Sequence, residues 1–221
     1  MRRKVHLETG KTYHIYNRGL NNSKIFPEDV DYARFYLAAL HYKSETNKFS
    51  YERRLKSHPQ KISQSPNPPK VEVYAYSLLP DHFHFIVKQL EDGGISYFIS
   101  NLSNSYVRYL NTKVQRSGPL FQGPFKNALV AQPVELTNLA RYIHLKPLLL
   151  NLTTELKSYE MSSYLSYLGR SDELINKNEV MQNFTDLGSF EMFMQNREEY
   201  GREFEKIKHL TFEKNPAEKI I

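Results

Sequence analysis

The chain has 221 residues, a net charge of +6 and no cysteine, which excludes disulfides, thiolate zinc sites and a cysteine nucleophile. Hydrophobic residues make up 40% and charged residues 24% of the sequence, a composition typical of a globular rather than a disordered protein. No apolar run approaches the roughly 20 residues that span a bilayer, so we expect a cytoplasmic protein without a membrane partner.

The first part of the chain predicts a strand, a helix and a loop. Residues 11–17 alternate and are rich in Tyr and Ile, which is typical of a strand. Pro27 opens a helix that has acidic residues in its first turn and that we expect to end near His41. Residues 44–70 are rich in Pro, Ser, Asn and Lys, which predicts a mobile basic loop that either contacts a nucleic-acid backbone or is simply solvated.

The following residues complete an α+β pattern. The predicted elements, in order, are a strand over 71–79, a turn at Pro80 and Asp81, a strand over 82–87, a helix over 95–113, a loop over 118–123, a strand over 125–131 and a helix from Pro133 to near Pro147. The order β-α-β-β-α-β-α predicts helices packed on an antiparallel sheet. We expect this domain to span residues 1–154, followed by a smaller, mostly helical C-terminal extension over 155–221 with a helix around 189–208.

Charge is distributed unevenly between these two parts. Residues 1–154 contain 21 Lys and Arg against 11 Asp and Glu, whereas residues 155–221 contain 9 against 13. No acidic residue occurs between Asp92 and Glu135. A basic body with an acidic tail favours a polyanion bound by the first part, although many basic proteins bind no nucleic acid.

His82 and His84 are the strongest chemical signal in the predicted elements. Because alternate side chains of a strand share a face, both imidazoles point one way, while Phe83 and its apolar neighbours point the other way. The two Cα atoms are then roughly 7 Å apart, so both rings can reach one metal ion. The residues alone leave a metal site and a structural histidine pair as equal interpretations.

Tyr142 and Lys146 form a second candidate pair on the helix that begins at Pro133. Their i, i+4 spacing places one above the other, beside the apolar stripe of that helix. Judged from the helix pattern alone, Tyr142 is a packing residue rather than a nucleophile.

Several segments, in order, resemble the IS200/IS605-like transposase family of HUH nucleases, especially its REP-associated tyrosine transposase branch. They are YHIYNRG at 13–19, AYSLLPDHFHFIVK at 75–88, SGPLFQGPFK at 117–126, ARYIHLKP at 140–147 and MSSYLSYLG at 161–169. The resemblance covers residues 11–170. It implies the ferredoxin-like or RRM-like palm of these nucleases, an antiparallel sheet with the histidines on a central strand.

The resemblance also implies a function and residue roles. His82 and His84 match the histidines that bind a divalent cation, Mg²⁺ or Mn²⁺. Tyr142 matches the catalytic tyrosine, which attacks a DNA phosphodiester and becomes linked to the 5′ phosphate. The implied protein is a single-stranded DNA endonuclease or transposase that acts on single-stranded or hairpin DNA as a monomer or a homodimer.

Lys146 departs from the family, which usually has Asn or Gln at this position to complete the metal site. An ammonium group has no lone pair with which to bind a metal, which leaves three interpretations. Another residue or water supplies the third ligand, or Lys146 contacts the scissile phosphate or stabilises the tyrosine phenolate. In the third interpretation the enzyme is impaired. The last interpretation keeps open an alternative function, a domesticated DNA-binding protein with weak or lost catalysis. A hydrolase of small phosphoesters is disfavoured, because no phosphate-cradling Gly loop or carboxylate cluster occurs. His14 and His144 lie in family-like segments but are assigned no ligand role.

Five residues are predicted to contact DNA. Phosphate contacts, which would make the affinity depend on salt, are expected from Arg18, Arg116 and Lys126. Base contacts are expected from Asn17 and Phe121. The alternative for each of the three cations is a solvated surface charge.

Overall fold

The computed structural model describes residues 6–45, 47–51, 67–196 and 207–211. The predicted basic loop and the predicted helix around 189–208 therefore lie partly outside the described residues. In chain order, the described residues form β1 (Thr12–Arg18), α1 (Asp29–Tyr42), β2 (Val71–Leu79), β3 (His82–Gln89), α2 (Gly94–Lys113), β4 (Lys126–Val130), α3 (Pro133–Leu149), α4 (Tyr164–Tyr167), α5 (Asn178–Met181) and α6 (Leu187–Gln195). Short 3₁₀ turns cover Leu20–Asn22, Leu156–Ser158 and Lys208–Leu210.

The four strands form one sheet in the order β2-β3-β1-β4, and every neighbouring pair is antiparallel. A two-residue turn at Pro80 and Asp81 joins β2 to β3. This βαββαβ arrangement confirms the predicted α+β fold. It also makes β1 and β3 the two central strands, so that side chains from these strands are shielded on both sides.

The two faces of the sheet differ in chemistry. Phe83, Phe85 and Val87 of β3 join Tyr13 and Ile15 of β1 in one hydrophobic core, which α1 and α2 cover. We call this the aromatic face. The alternate residues of the same strands point to the opposite face, which is covered by α3 and by C-terminal residues.

Helix α3 begins at a capping box. The Glu135 carboxylate accepts hydrogen bonds from the backbone N–H groups of Ala131 at 2.8 Å and Gln132 at 3.0 Å, and Pro133 occupies the first turn. The helix was predicted to end near Pro147 and instead continues to Leu149. Proline in the last turn removes only one helical N–H, and the burial of Pro147 offsets that loss.

The C-terminal residues pack on the same face as α3. Tyr164, Tyr167, Phe190 and Leu210 share a core with that helix, and the Tyr167 hydroxyl donates a 2.7 Å hydrogen bond to the carbonyl of a β2 residue. The second face is thus formed jointly by the sheet, α3 and these later segments. No helix in the described ranges combines the length and the apolar character that crossing a membrane requires.

Candidate active site

The register of the sheet brings the candidate residues together on the second face. Arg18 of β1 lies directly opposite His82 of β3, and Tyr16 lies opposite both His84 and Lys126 of β4. Directly opposite residues of antiparallel strands point to the same face. Arg18 and Lys126 therefore share the face of the histidine pair, where Lys126 is exposed and the Arg18 side chain is 27% exposed.

His82 is held by the residue that precedes it. Its Nδ1 lies 2.5 Å from the Asp81 carboxylate, whose other oxygen lies 3.6 Å from the Arg18 guanidinium. Burial acts to raise the pKa of Asp81, but the hydrogen bond and charge of His82 and the charge of Arg18 outweigh it and hold this pKa below the ordinary value. Burial also lowers the pKa of His82 more than Asp81 raises it. The carboxylate can only accept a hydrogen bond, so the proton of the neutral ring lies on Nδ1, which faces it.

The turn that carries Asp81 is fixed to the end of β1. The Gly19 N–H donates a 2.7 Å hydrogen bond to the Asp81 carbonyl. A Cβ atom at Gly19 would lie 2.1 Å from the Ser23 carbonyl oxygen, which no side chain can accommodate without a backbone shift. Glycine at this position therefore allows the close approach of the Ser23 carbonyl, while its N–H holds the Asp81 turn at the end of β1.

His84 is the middle of a buried hydrogen-bonded chain. Its Nδ1 lies 2.8 Å from Nε2 of His14, and Nδ1 of His14 lies 2.6 Å from the Leu210 carbonyl oxygen. Both rings are fully buried. Burial lowers the pKa of His14 to about 4, partly opposed by the Leu210 hydrogen bond. Burial and the neighbouring histidines hold the pKa of His84 well below its ordinary value, so both imidazoles are neutral at pH 7.

Helix α3 places Tyr142 and Lys146 over the histidines. The Tyr142 ring centroid lies 5.9 Å from that of His84 and 6.5 Å from that of His14. The Lys146 Nζ lies 5.3 Å from the centre of the Tyr142 ring, and both side chains are almost fully buried. After burial, the Lys146 charge is among the effects that lower the pKa values of the three histidines, so this charge acts on the cluster.

The donor set was tested against the divalent cation that the sequence implies. In His82 and His84 the Nδ1 atoms face hydrogen-bonding partners, so Nε2 is the nitrogen of each ring that could bind a metal. The ring centroids lie 5.1 Å apart, and two imidazole nitrogens suit Mn²⁺ better than Mg²⁺. In the described ranges no group of three or more His, Cys, Asp and Glu could hold a metal. The pair fits a divalent cation, while the Lys146 charge opposes it.

Two of the predicted DNA contacts have structural roles. The Asn17 amide donates to the Gly123 carbonyl at 3.0 Å and accepts from the Arg18 N–H at 2.9 Å, so it anchors the loop before β4. Phe121 is buried edge-to-face against Phe83, with ring centroids 5.9 Å apart. The predicted base contacts of Asn17 and Phe121 stay predictions, made by side chains that are buried here.

The predicted phosphate contacts differ in their surroundings. The Arg116 guanidinium donates a 2.6 Å hydrogen bond to the Pro119 carbonyl, within the loop that follows α2. Arg18 and Lys126 lie on the face of the histidine pair, and they are the better placed cations for a nucleic-acid backbone at this site.

Sequence reasoning missed three participants. Asp81 was assigned only to a turn, although its position directly before His82 was a usable signal. His14 was assigned no ligand role, and its contact with His84 depends on the pairing of β1 with β3. Leu210 contributes a backbone carbonyl from 196 residues away, for which no sequence signal exists.

Known proteins resemble this chain in fold and in family. A solved structure described as a REP-associated tyrosine transposase bound to a REP hairpin has the same fold, with a TM-score of 0.54 and 12% identity over 80% of this chain and 91% of that chain. The fold is therefore that of a tyrosine transposase domain. The family described as "Transposase IS200 like" matches residues 36–146, half of the chain, and the chain belongs to this family. No curated protein matches the sequence significantly.

The family match includes the histidine pair, Tyr142 and Lys146. It does not include β1, which carries His14 and Arg18.

Proposed function

We propose that the protein is a single-stranded DNA endonuclease and transposase that cuts and rejoins DNA through a covalent bond between Tyr142 and a 5′ phosphate. The observation that carries the proposal is the placement of Tyr142, whose ring lies 5.9 Å from His84 of the same chain. Membership of the IS200-like transposase family supports this reaction. The structural neighbour is described as bound to a REP hairpin, which supports single-stranded or hairpin DNA as the substrate.

The site residues divide the reaction among them. The Tyr142 oxygen forms a bond to phosphorus and loses its proton, while the bond to the 3′ oxygen breaks and that oxygen takes up a proton. The aryl phosphate keeps the energy of the broken linkage, so a 3′-hydroxyl can reverse the step without ATP. Lys146, beside the phenol ring, stabilises the phenolate or the phosphate by its charge.

His82 and His84 would hold Mn²⁺ or Mg²⁺ through their Nε2 atoms. Such a cation, when bound, supplies charge that makes the phosphate more receptive to attack. Asp81 and His14 orient the two rings through their contacts with Nδ1 of His82 and Nδ1 of His84. Arg18 and Lys126 would bind flanking phosphates, with an affinity that falls as salt rises.

The same chain supplies both the tyrosine and the histidines, which supports cleavage by a monomer. A homodimer remains the other prediction for the assembly, and a cytoplasmic location also stays a prediction.

Burial of the site favours one alternative function. Tyr142 is 0% exposed, and the charge of Lys146 lowers the pKa of His84. Both features suit a protein of the same fold that binds DNA but cuts it weakly or not at all.

The test uses end-labelled single-stranded hairpin oligonucleotides from DNA flanking the coding sequence, with Mn²⁺. The wild type is expected to form a denaturation-resistant protein–DNA adduct, and Tyr142→Phe is expected to form none. Tyr167→Phe is the matched control, because Tyr167 is equally buried on the same face but lies outside the site. Binding by the wild type without any adduct would favour the alternative, and neither binding nor adduct would contradict both.

A further inference from the structure

We propose that His14 and the backbone carbonyl of Leu210 fix the proton of His84 on Nδ1, so that the segment 207–211 prepares the nitrogen that binds the metal. The inference rests on the proposed function in one respect, the role of His84 as a metal ligand. It assigns a positioning role to a residue on β1 and to a segment near the other end of the described chain.

The first step follows from the chemistry of a carbonyl. The Leu210 oxygen lies 2.6 Å from Nδ1 of His14, and a carbonyl oxygen can only accept a hydrogen bond. Nδ1 of His14 must therefore carry a proton. Neutral imidazole has one N–H, so Nε2 of the same ring carries the lone pair.

The second step passes this constraint to His84. Nε2 of His14 lies 2.8 Å from Nδ1 of His84, and a hydrogen bond between two nitrogens needs one proton. Because Nε2 of His14 is the acceptor, Nδ1 of His84 is the donor. Both rings are fully buried, and His14 contacts a carbonyl oxygen and a second imidazole, so a charged His14 with two donating nitrogens would cost free energy. Burial therefore favours the neutral arrangement, in which only one nitrogen of His14 donates.

The third step gives the functional consequence. With its proton on Nδ1, His84 presents an unprotonated Nε2 without any rearrangement. Asp81 does the same for His82, because a carboxylate also can only accept. The same tautomer thus results in both rings from two unrelated acceptors. The Asp81 carboxylate acts directly on His82, and the Leu210 carbonyl acts on His84 through its hydrogen bond to His14.

Contacts of the 207–211 segment with the rest of the protein hold the Leu210 carbonyl in place. Ile207 and Leu210 are buried in the core of the second face. Between them, Nε2 of His209 lies 3.4 Å from the Glu135 carboxylate at the start of α3. The segment is therefore anchored both by apolar burial and to the helix that carries Tyr142.

The direct test requires no metal. Long-range proton–nitrogen NMR correlations of ¹⁵N-labelled full-length protein at pH 7 report which nitrogen of each histidine is protonated. We expect Nδ1–H for His14, His84 and His82. Nε2–H on His84 in the wild type would overturn the inference outright, whether or not any variant folds.

The second test measures Mn²⁺ binding by calorimetry in the full chain. His14→Phe keeps the size of the ring but removes the acceptor, and it should weaken binding about 10–100-fold and shift the His84 proton toward Nε2. His14→Gln, whose amide oxygen can accept from His84, should keep binding within a few-fold of the wild type. His144→Phe is the matched control, since His144 is equally buried but bonds Ser163 instead of the histidine chain.

Leu210→Gly tests the carbonyl end of the hydrogen-bonded chain without altering His14. It removes the buried leucine side chain that holds the 207–211 segment, so both tautomers of His84 should become populated. A folded His14→Phe protein that binds Mn²⁺ as tightly as the wild type, with Nδ1–H still on His84, would refute the positioning role and leave the proposed function intact. Absence of Mn²⁺ binding in a wild type that shows Nδ1–H would instead contradict the metal site while supporting the tautomer.

Discussion

The two faces of the sheet are made by alternate residues of the same strands, yet they are built for different purposes. On β3, Phe83 and Phe85 enter the aromatic face, and His82 and His84 enter the second face. The aromatic face stabilises the fold by burying apolar surface that has no chemical function. The second face buries imidazoles, a phenol and an ammonium, each of which costs free energy to remove from water. Neighbouring residues of β3 thus have different roles: one stabilises the fold, and the next belongs to the candidate site.

The comparison predicts that substitutions on the two faces have different measurable effects. Substitutions on the aromatic face should change the free energy of unfolding, and those on the second face should change metal and DNA chemistry. A variant that changed both equally would contradict this division.

The largest effect is expected on the aromatic face. Phe83 is fully buried, and its ring packs against Phe35 with centroids 5.3 Å apart. Phe83→Ala should lower the free energy of unfolding by about 3–5 kcal/mol, because it leaves a cavity. Denaturant titration measures this loss. Met192→Ala, at a side chain that is 68% exposed, is the control and should stay within about 0.5 kcal/mol of the wild type.

The next effect tests the support of His82. Asp81→Asn replaces an acceptor by an amide that can rotate its N–H₂ toward the ring, so the His82 tautomer is no longer fixed. Mn²⁺ affinity should fall about 10–100-fold, with little change in the unfolding free energy. Calorimetry provides the measurement. Asp92→Asn, at an exposed position after β3, should bind like the wild type; equal losses in both variants would show a general charge effect instead.

A smaller effect of opposite sign is expected at Lys146. Lys146→Gln removes a positive charge from the histidine cluster and introduces a carbonyl oxygen, so Mn²⁺ should bind about tenfold more tightly. Lys146→Met removes the charge without adding a ligand, and the difference between the two variants isolates the contribution of the oxygen. Unchanged binding in both variants would mean that the ammonium does not oppose the cation.

The smallest effect concerns the pH dependence of stability. Burial lowers the pKa of His144 from 6.5 to about 3. Below pH 6.5 this histidine therefore binds a proton in the unfolded chain but not in the folded chain. The free energy of unfolding should therefore fall as the pH falls from 6.5 toward 3. His144→Gln should lower the slope in this window by the uptake of one proton. Denaturant titrations at several pH values measure it, and parallel curves for the two proteins would contradict the assignment.

The fold was largely predictable because local patterns and the final structure agree. Alternation on β3 and the acidic start of α1 gave elements that the structure confirms to within about two residues. The end of α3 was predicted near Pro147 and lies two residues further, at Leu149, because a buried proline in the last turn lets the helix continue.

The site was predictable only where its residues are close in sequence or resemble a family motif. His82, His84 and Tyr142 were predicted in this way, and the structure brings their rings together. The roles of His14 and Leu210 depend on strand register and on the path of a distant segment, and a backbone carbonyl is present in every residue. No pattern of side chains could have indicated that contact.

The hydrogen bond between His14 and Leu210 also has a kinetic consequence. It joins residues 196 positions apart, so we expect it to form later than contacts that close shorter loops. The sheet and the aromatic core, made from contacts closer in sequence, can form earlier. We therefore expect Arg18 and Lys126 to be able to contact DNA before His84 is oriented, so that the proposed chemistry would depend on a late step of folding.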